Sequence, residues 1–246
     1  MKQYIYTLLL LLFVSAPASA GGKNIPYQVN GENFEGYYIS PVASAPLILL
    51  IHDWDGLTGY EKKRADMLAA RGYAVFAIDL FGAGVRPTKL EDKQQHTGEL
   101  YKDRDRMRGL LQGAWRTAAA LGANTDNAVA MGYCFGGAAV LEMARSGTDL
   151  KGFVTFHGGL ATPAGQNYSK TKGKLLILHG TADTNITMDQ FAQLAMELED
   201  NGINHEMITY SGAPHAFTVF GSDRYRQDAD LKSWQRFTEF LSETLD

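Results

Sequence analysis

Short apolar runs recur along the chain, and most have the length of a β-strand. Residues 47–51, Leu-Ile-Leu-Leu-Ile, are wholly apolar, which is typical of a strand buried on both faces of a sheet. Similar strands are predicted at 73–78, 127–131, 152–156, 174–178 and 205–210. Residues 28–40 are predicted to form a hairpin around the turn Asn30-Gly31, because this dipeptide favours a two-residue hairpin turn.

Helical patterns alternate with these strands. Helices are predicted at 60–71, 136–145, 188–201 and 227–241, with Gly72 as the stop of the first. After a polar loop over 82–94, one long helical stretch is predicted to run to about residue 121. Alternating strands and helices indicate an α/β fold, with a largely parallel sheet covered by helices on both faces. Because the sequence shows no internal repeat and no linker, residues 21–246 are predicted to form a single domain.

The first twenty residues have a different pattern. Lys2 precedes an apolar run at 8–14, and Ala18-Ser19-Ala20 supplies small residues after it. This plan predicts a secretory signal peptide, residues 1–20, cleaved after Ala20, and therefore an exported protein, periplasmic or secreted. A membrane anchor is the alternative, but its apolar core would need about 20 residues, more than this run provides.

Composition narrows the class of protein. The 246 residues carry a formal net charge of −4, and no basic block provides the electrostatic footprint of a nucleic-acid-binding protein. After signal cleavage no second apolar run is long enough to span a bilayer, so no stable membrane insertion is expected. The pattern leaves the oligomeric state open. The single cysteine cannot form an intrachain disulfide, so it is an inert core residue, an intermolecular link or a working thiol.

The position of that cysteine favours the working thiol. The predicted strand at 127–131 runs into Gly132-Tyr133-Cys134-Phe135-Gly136-Gly137 and then into a helix. A nucleophile at such a strand–turn–helix junction sits on a strained backbone and projects above the sheet. Glycines two residues to either side leave room where the chain doubles back, and the start of the helix favours negative charge on the sulfur.

A base and an orienting acid follow in the order that this junction requires. Asp183 lies on the turn after the strand at 174–178, and His215 lies on the loop after the strand at 205–210. Both loops leave the carboxyl ends of parallel strands, where catalytic groups of such sheets collect. An Asx turn and an ordinary loop histidine are the alternatives for each residue alone, but three such positions in this order favour a Cys134–His215–Asp183 triad.

The loop after the first buried strand is predicted to complete the site. Backbone N–H groups of Trp54 and Phe135 are the candidate oxyanion donors. His52, Asp53 and Asp55 also resemble a partial metal site, but the sequence offers no further ligand set, so no metal is predicted. Aromatic residues beside the motifs are predicted to line the substrate pocket. These residues are Trp54, Phe81, Tyr133, Phe135, His157 and Phe217.

These motifs resemble those of the dienelactone hydrolase family. The resemblance rests on Gly132-Tyr133-Cys134-Phe135-Gly136-Gly137, on Gly180-Thr181-Ala182-Asp183 and on Gly212-Ala213-Pro214-His215-Ala216-Phe217, and it runs from about Val29 to the C-terminus. It implies an α/β-hydrolase fold with a sheet of seven or eight strands, no cofactor, and hydrolysis of lactones or related small esters.

The chain departs from the family pattern at three positions. A family glutamate that pairs with the resting thiol is replaced by Asp53, a candidate thiol-tuning residue that is one methylene shorter. Two family arginines that hold a substrate carboxylate are absent, since Phe81 is followed by Gly-Ala-Gly and Phe217 by Thr-Val. Bidentate recognition of a carboxylate is therefore not expected from those positions.

The sequence thus predicts a hydrolase that cleaves a small ester or lactone through a thioester intermediate. Two other classes of protein remain open. A thiol-redox protein would use Cys134, but the chain has no second cysteine to resolve an oxidised one. A non-catalytic binding protein could keep the fold without turnover.

Overall fold

The structure, a computed structural model, describes residues 21–245. The predicted signal peptide, residues 1–20, lies outside the described residues and stays a prediction. Eight strands form one sheet in the spatial order β1-β2-β4-β3-β5-β6-β7-β8. The strands are β1 (Lys23–Val29), β2 (Glu32–Ile39), β3 (Pro46–Ile51), β4 (Ala74–Ile78), β5 (Asn124–Tyr133), β6 (Gly152–Phe156), β7 (Lys174–Gly180) and β8 (His205–Tyr210).

The sheet is mostly parallel, as predicted. β1 and β2 form the expected antiparallel hairpin, and β2 also runs antiparallel to β4. The five remaining strand pairs are parallel. At the hairpin turn Asn30 and Gly31 both have positive φ, 51° and 84°, which suits the Asn-Gly sequence because these residues adopt left-handed backbone most easily.

Helices cover both faces of the sheet. They are α1 (Gly59–Ala69), α2 (Leu90–Lys102), α3 (Arg104–Ala120), α4 (Phe135–Arg145), α5 (Met188–Asp200) and α6 (Gln227–Thr244). Leu47, Leu49 and Ile51 of β3 belong to the core shared with α2, α3, α4 and α5. Ile48 and Leu50 belong to the opposite core, shared with α1 and α6. Both faces of β3 are thus buried, which explains its unbroken apolar sequence.

The long helical stretch predicted up to residue 121 is two helices in the structure. It breaks at Asp103, whose side chain accepts a hydrogen bond of 2.8 Å from the N–H of Arg106 and so caps α3. The prediction of a single helix was wrong because an aspartate among other charged residues is also typical of the exposed face of a helix, so the sequence does not distinguish it from a cap. α2 also begins at Leu90, within the predicted polar loop.

The parallel strands bring several loops to one edge of the sheet. β3, β5, β7 and β8 all end at this edge, since each pairs in parallel with its neighbour. The segments that follow them carry the residues singled out in the sequence. No helix among residues 21–245 is both long and apolar enough to cross a membrane.

Candidate active site

The turn between β5 and α4 is as tight as its sequence predicts. Cys134 occupies it with φ 51° and ψ −112°, a strained conformation for a residue with a side chain. A Cβ atom on Gly132 would lie 2.3 Å from the carbonyl oxygen of Gly136. One on Gly136 would lie 2.3 Å from the carbonyl oxygen of Ile51 and 2.5 Å from that of His52. Both glycines are therefore required by the close approach of backbone.

The structure brings the three residues of the predicted triad together. Nε2 of His215 lies 3.1 Å from the sulfur of Cys134, and its Nδ1 donates a hydrogen bond of 2.7 Å to Oδ2 of Asp183. The other oxygen of Asp183 accepts from the N–H groups of Asn185 and Ile186, at 2.9 Å each. The carboxylate is thus held by its own loop while it orients the imidazole.

Electrostatics favour a charged His215 beside the sulfur. Burial lowers the pKa of His215, but the hydrogen bonds and charges of Asp183 and Cys134 outweigh it and raise the pKa to about 10. Burial also raises the pKa of Asp183, yet its hydrogen bond with His215, the Ile186 N–H, the His215 charge and the Asn185 N–H give a net lowering. The two residues therefore form a partly buried ion pair whose cation favours negative charge on the sulfur.

Two backbone N–H groups remain free to bind an anion near the sulfur. In the loop after β3, the N–H groups of Asp53, Asp55 and Gly56 are all used within the protein. The N–H groups of Trp54 and Phe135 have no acceptor among the described residues. Both residues line the same cavity as the cysteine, and their assignment as oxyanion donors stays a prediction.

The cavity at the triad has a volume of about 350 Å³. Its walls are largely apolar, and the indole of Trp54 and the ring of Tyr101 contribute to them. Arg224 supplies a cation that forms no ion pair with any described carboxylate. The lining residues are Asp53, Trp54, Leu90, Gln94, Tyr101, Cys134, Phe135, Gly159, Asn185, Ile186, His215, Ala216 and Arg224.

Two of the six predicted pocket walls, Trp54 and Phe135, line this cavity, and the other four do not. Tyr133, His157 and Phe217 are fully buried, and Tyr133 packs on Phe156 at a ring-centroid distance of 4.9 Å. Successive side chains of a strand point to opposite faces of the sheet. Tyr133 therefore lies in the core shared with α1 and α6, although Cys134 follows it directly in sequence. Phe81 packs behind the cavity, 5.5 Å from the ring of Phe135.

His157 lies directly behind the imidazole of His215. Its ring centroid is 5.3 Å from that of His215, and its Nε2 is 2.8 Å from the hydroxyl oxygen of Thr218. Burial and the nearby His215 charge lower the pKa of His157 well below its usual range. His157 therefore supports His215 as a neutral ring rather than contacting the cavity.

Asp53 lies in the cavity wall but is not hydrogen-bonded to the sulfur of Cys134, whose partner is His215. Its Oδ1 instead accepts from the N–H of Asp55 at 2.8 Å. Burial and the charge of Glu61, with a smaller effect of Asp55, raise the pKa of Asp53 to about 8 despite the Asp55 N–H and the Lys93 charge. The shorter side chain is thus held within its own loop, and direct pairing with the thiol is not observed.

Two neighbouring ionisable residues have structural roles. His52 is buried, and its Nδ1 donates to the carbonyl oxygen of Asp53 at 2.6 Å while its Nε2 accepts from the N–H of Leu80. Arg86 donates to the carbonyl oxygens of Leu57 and Val85 and does not line the cavity. Within residues 21–245 no three His, Cys, Asp or Glu side chains are grouped to hold a metal ion.

Sequence reasoning missed Leu90, Gln94, Tyr101 and Arg224 in the cavity wall. Leu90, Gln94 and Tyr101 all belong to α2. Arg224 lies on the segment that follows the histidine loop. No motif marks these residues. The one indication in the sequence was Arg224 itself, nine positions after His215, because the chain lacks arginines at the positions where the family resemblance implies them.

The sheet order, the strained turn and the three side chains define an α/β-hydrolase. The chain belongs to the dienelactone hydrolase family, whose model matches residues 34–245. It is a dienelactone hydrolase-like carboxylic ester hydrolase.

Individual relatives agree along almost their whole length. A protein of Aquifex aeolicus (strain VF5), provisionally named a carboxymethylenebutenolidase, is 22% identical over 89% of this chain and 97% of its own. Among solved structures, m3DLH is 27% identical, with a TM-score of 0.86 over 92% of this chain and 98% of its own. A dienelactone hydrolase-like promiscuous phosphotriesterase from metagenomic libraries is 25% identical, with a TM-score of 0.86 over 93% and 100%.

The raised pKa of His215 can be measured directly. We expect the imidazole to stay protonated up to about pH 10 and its pKa to fall in Cys134→Ala, which removes one of the groups that raise it. The same shift stabilises the fold fully below about pH 6.5, the pKa of an unfolded histidine, and this stabilisation is lost as the pH rises through the folded pKa. NMR titration of the histidine rings measures both values, and an unchanged pKa in Cys134→Ala would contradict the coupling.

Proposed function

We propose that the protein hydrolyses a small ester or lactone by acyl transfer to Cys134, with His215 as general base and acid and Asp183 as the orienting acid. The observation that carries this proposal is the continuous Cys134–His215–Asp183 hydrogen-bond chain at a cavity that also presents two unused backbone N–H groups. A structural cysteine would require neither the charged histidine nor the donors.

The geometry supports a two-step reaction. The sulfur of Cys134, its proton held by His215, attacks the ester carbonyl carbon, and the carbonyl oxygen takes up negative charge near the N–H groups of Trp54 and Phe135. The bond to the alkoxy oxygen then breaks, and His215 gives its proton to the departing alkoxide. Water next donates a proton to His215 and attacks the thioester, which releases the acid and restores the sulfur. Asp183 fixes the imidazole and stabilises its charged form throughout.

The oxyanion donors are expected to lower the barrier substantially. One such N–H group is typically worth about 3 kcal/mol in the transition state, because it is fixed before the charge develops. In this protein both candidate donors lie on rigid segments. Trp54 belongs to a loop tied down by buried side chains, and Phe135 is the first residue of α4.

The cavity favours a small substrate with apolar parts. Its volume of about 350 Å³ is at the lower end of ligand pockets, and Trp54, Leu90, Tyr101 and Ile186 offer apolar contacts. Arg224 offers one cation at the mouth. Together these features favour a small ester or lactone that carries an anionic group. This chain has no arginine at the two positions that the family resemblance implies, so Arg224 would have to bind that group.

Two alternatives are weaker. A thiol-redox role is disfavoured because the sequence has no second cysteine to resolve an oxidised one. A binding protein without turnover has no use for a strained nucleophile turn, which costs stability of about 1–3 kcal/mol. We propose in addition that the protein is exported, on the basis of residues 1–20, and mass spectrometry of the exported protein tests this by the presence of Gly21 at its N-terminus.

The triad is tested with a small activated ester, 4-nitrophenyl acetate, and the reduced protein. We expect Cys134→Ala and His215→Ala to lose turnover by at least about 10⁴-fold, and Asp183→Asn by about 10⁴-fold through a misoriented imidazole. Pre-steady-state measurements should show a burst of 4-nitrophenol equal to the enzyme concentration if deacylation is slower than acylation.

Arg236→Ala, which disrupts an ionic network on β8 and α6 outside the cavity, serves as the control and should keep wild-type turnover. Activity within tenfold of wild type in Cys134→Ala, with the fold intact by circular dichroism, would exclude the mechanism. A reduced wild type that binds the ester without turning it over would indicate the binding role.

The contribution of Arg224 is tested by comparing a neutral ester with an ester of the same size that bears a free carboxylate. We expect Arg224→Gln to lower kcat/KM for the carboxylated ester by about tenfold to a hundredfold, the usual strength of a charged hydrogen bond, and to leave the neutral ester unaffected. The matched control is Arg226→Gln, because Arg226 bonds to the carbonyl oxygens of Asp223 and Tyr225 outside the cavity. Equal losses on both esters would contradict this assignment.

A further inference from the structure

Several hydrogen bonds hold the loop that contains Trp54. This β3–α1 loop, residues 52–58, spans from the end of β3 to the N-cap of α1. Asp53 Oδ1 accepts from the N–H of Asp55, and the carbonyl oxygen of Asp53 accepts from the N–H of Gly56 at 3.4 Å. These bonds leave the N–H of Trp54 as the free donor of the segment 53–56, so whatever holds the two ends of the loop determines where this donor points.

Glu61 holds both ends. Its Oε2 accepts from the N–H and from the hydroxyl of Thr58, at 2.8 Å each. Its Oε1 accepts from the N–H of Asp53 at 3.5 Å. The residue is 0% exposed, so bulk solvent does not reach its carboxylate. One buried carboxylate therefore connects the start of the loop with its end.

Capping of α1 does not by itself explain a buried charge at this position. Glu61 is the third residue of α1 and forms a capping box with Thr58. α5 has the same motif, formed by Thr187 and Gln190, so a neutral amide meets the need for a cap in this chain. A buried carboxylate is costly unless its environment uses the charge. The additional partner of Glu61 is the loop of the active site.

We propose that Glu61 is a positioning residue of the active site: its carboxylate fixes the β3–α1 loop so that the Trp54 N–H faces the cavity, and its negative charge acts on the adjacent cavity residue Asp53. This inference rests on the proposed function, because it gives the Trp54 N–H the part of an oxyanion donor. Glu61 itself does not line the cavity and does not touch the substrate.

The charge of Glu61 matters because of the groups that surround Asp53. Asp53 faces Glu61 of α1, Asp55 of its own loop and Lys93 of α2, and Cys134 and His215 line the same cavity. Burial raises the pKa of Asp53 and also that of Glu61. Glu61 accepts hydrogen bonds from the Thr58 N–H, the Thr58 hydroxyl and the Asp53 N–H, which favour its charged form, so the uncharged form is favoured at Asp53. An uncharged carboxyl does not repel the negative charge that develops on the substrate oxygen, whereas an ionised one does.

The sign of the pH effect follows from these charges. In the wild type, ionisation of Asp53 should slow catalysis as the pH rises through about 8. Removing the charge of Glu61 removes a negative neighbour, which makes ionisation of Asp53 easier and lowers its pKa. The alkaline decline of kcat/KM should therefore begin at a lower pH in a Glu61→Gln variant. A purely structural role of Glu61 would leave the position of this decline unchanged.

The experiment measures kcat and KM for 4-nitrophenyl acetate across the pH range with the wild type, Glu61→Gln, Asp53→Asn and the double variant. In Glu61→Gln we expect kcat to fall about tenfold or more, since a misplaced oxyanion donor loses part of its roughly hundredfold effect, while KM changes less than about twofold. The alkaline decline should move down by about one pH unit. In the Asp53→Asn background, Glu61→Gln should lower kcat without moving any alkaline decline.

Controls separate positioning from loss of stability. Arg236→Ala, which removes a charge from a distant ionic network, should keep wild-type kcat and the same pH profile. If Glu61→Gln does not fold, Thr58→Ala, which removes one donor to Glu61, should lower kcat, and Thr58→Ser should restore it. Wild-type kcat and an unmoved alkaline decline in a folded Glu61→Gln would overturn the proposal, as would wild-type kcat in Thr58→Ala.

Failure of this inference is distinguishable from failure of the proposed function. The proposed function fails if Cys134→Ala keeps its activity, whatever Glu61 does. The role of Glu61 fails if Cys134→Ala is inactive, so that the triad stands, while Glu61→Gln behaves like the wild type.

Discussion

The site depends on the contact between the first turn of α4 and the end of β3. Gly136 brings its backbone so close to the carbonyl oxygens of Ile51 and His52 that no side chain fits between them. This contact forces the chain to turn sharply at Cys134, and it places the β3–α1 loop beside the sulfur. The sheet order makes this contact possible, because β3 and β5 are neighbours although three helices and a strand separate them in sequence.

Buried ionisable groups hold the loops around this contact. His52, Glu61 and Asp79 bind backbone N–H groups of the segments after β3 and β4. A buried polar side chain that satisfies backbone groups fixes a loop more firmly than apolar packing does, because an unsatisfied group in the interior is costly. His52 is kept neutral, since burial lowers its pKa to about 4. His215 in contrast keeps its proton because Asp183 and the sulfur both face it.

The placement of arginines differs from the pattern that the family resemblance implies. The arginine positions near Phe81 and Phe217 are filled by glycine, alanine, threonine and valine, and Arg86, the arginine nearest to the first of them, is used to bind carbonyl oxygens. The cation at the cavity comes from Arg224, on the longer excursion between β8 and α6. Cys134, Asp183 and His215 thus lie directly after strands, whereas the arginine that lines the cavity lies further along the segment between β8 and α6.

The sequence by itself determined the parallel sheet, the strained cysteine turn and the order of Cys134, Asp183 and His215. Each of these leaves a local signal, since strands buried on both faces are apolar throughout and a tight turn needs glycines at fixed spacing. The break at Asp103, the burial of Tyr133 and Phe217, and the lining by Leu90, Tyr101 and Arg224 were decided by the tertiary structure alone. They depend on which face a side chain takes and on how distant loops meet above the sheet, and neither is encoded in the spacing of neighbouring residues.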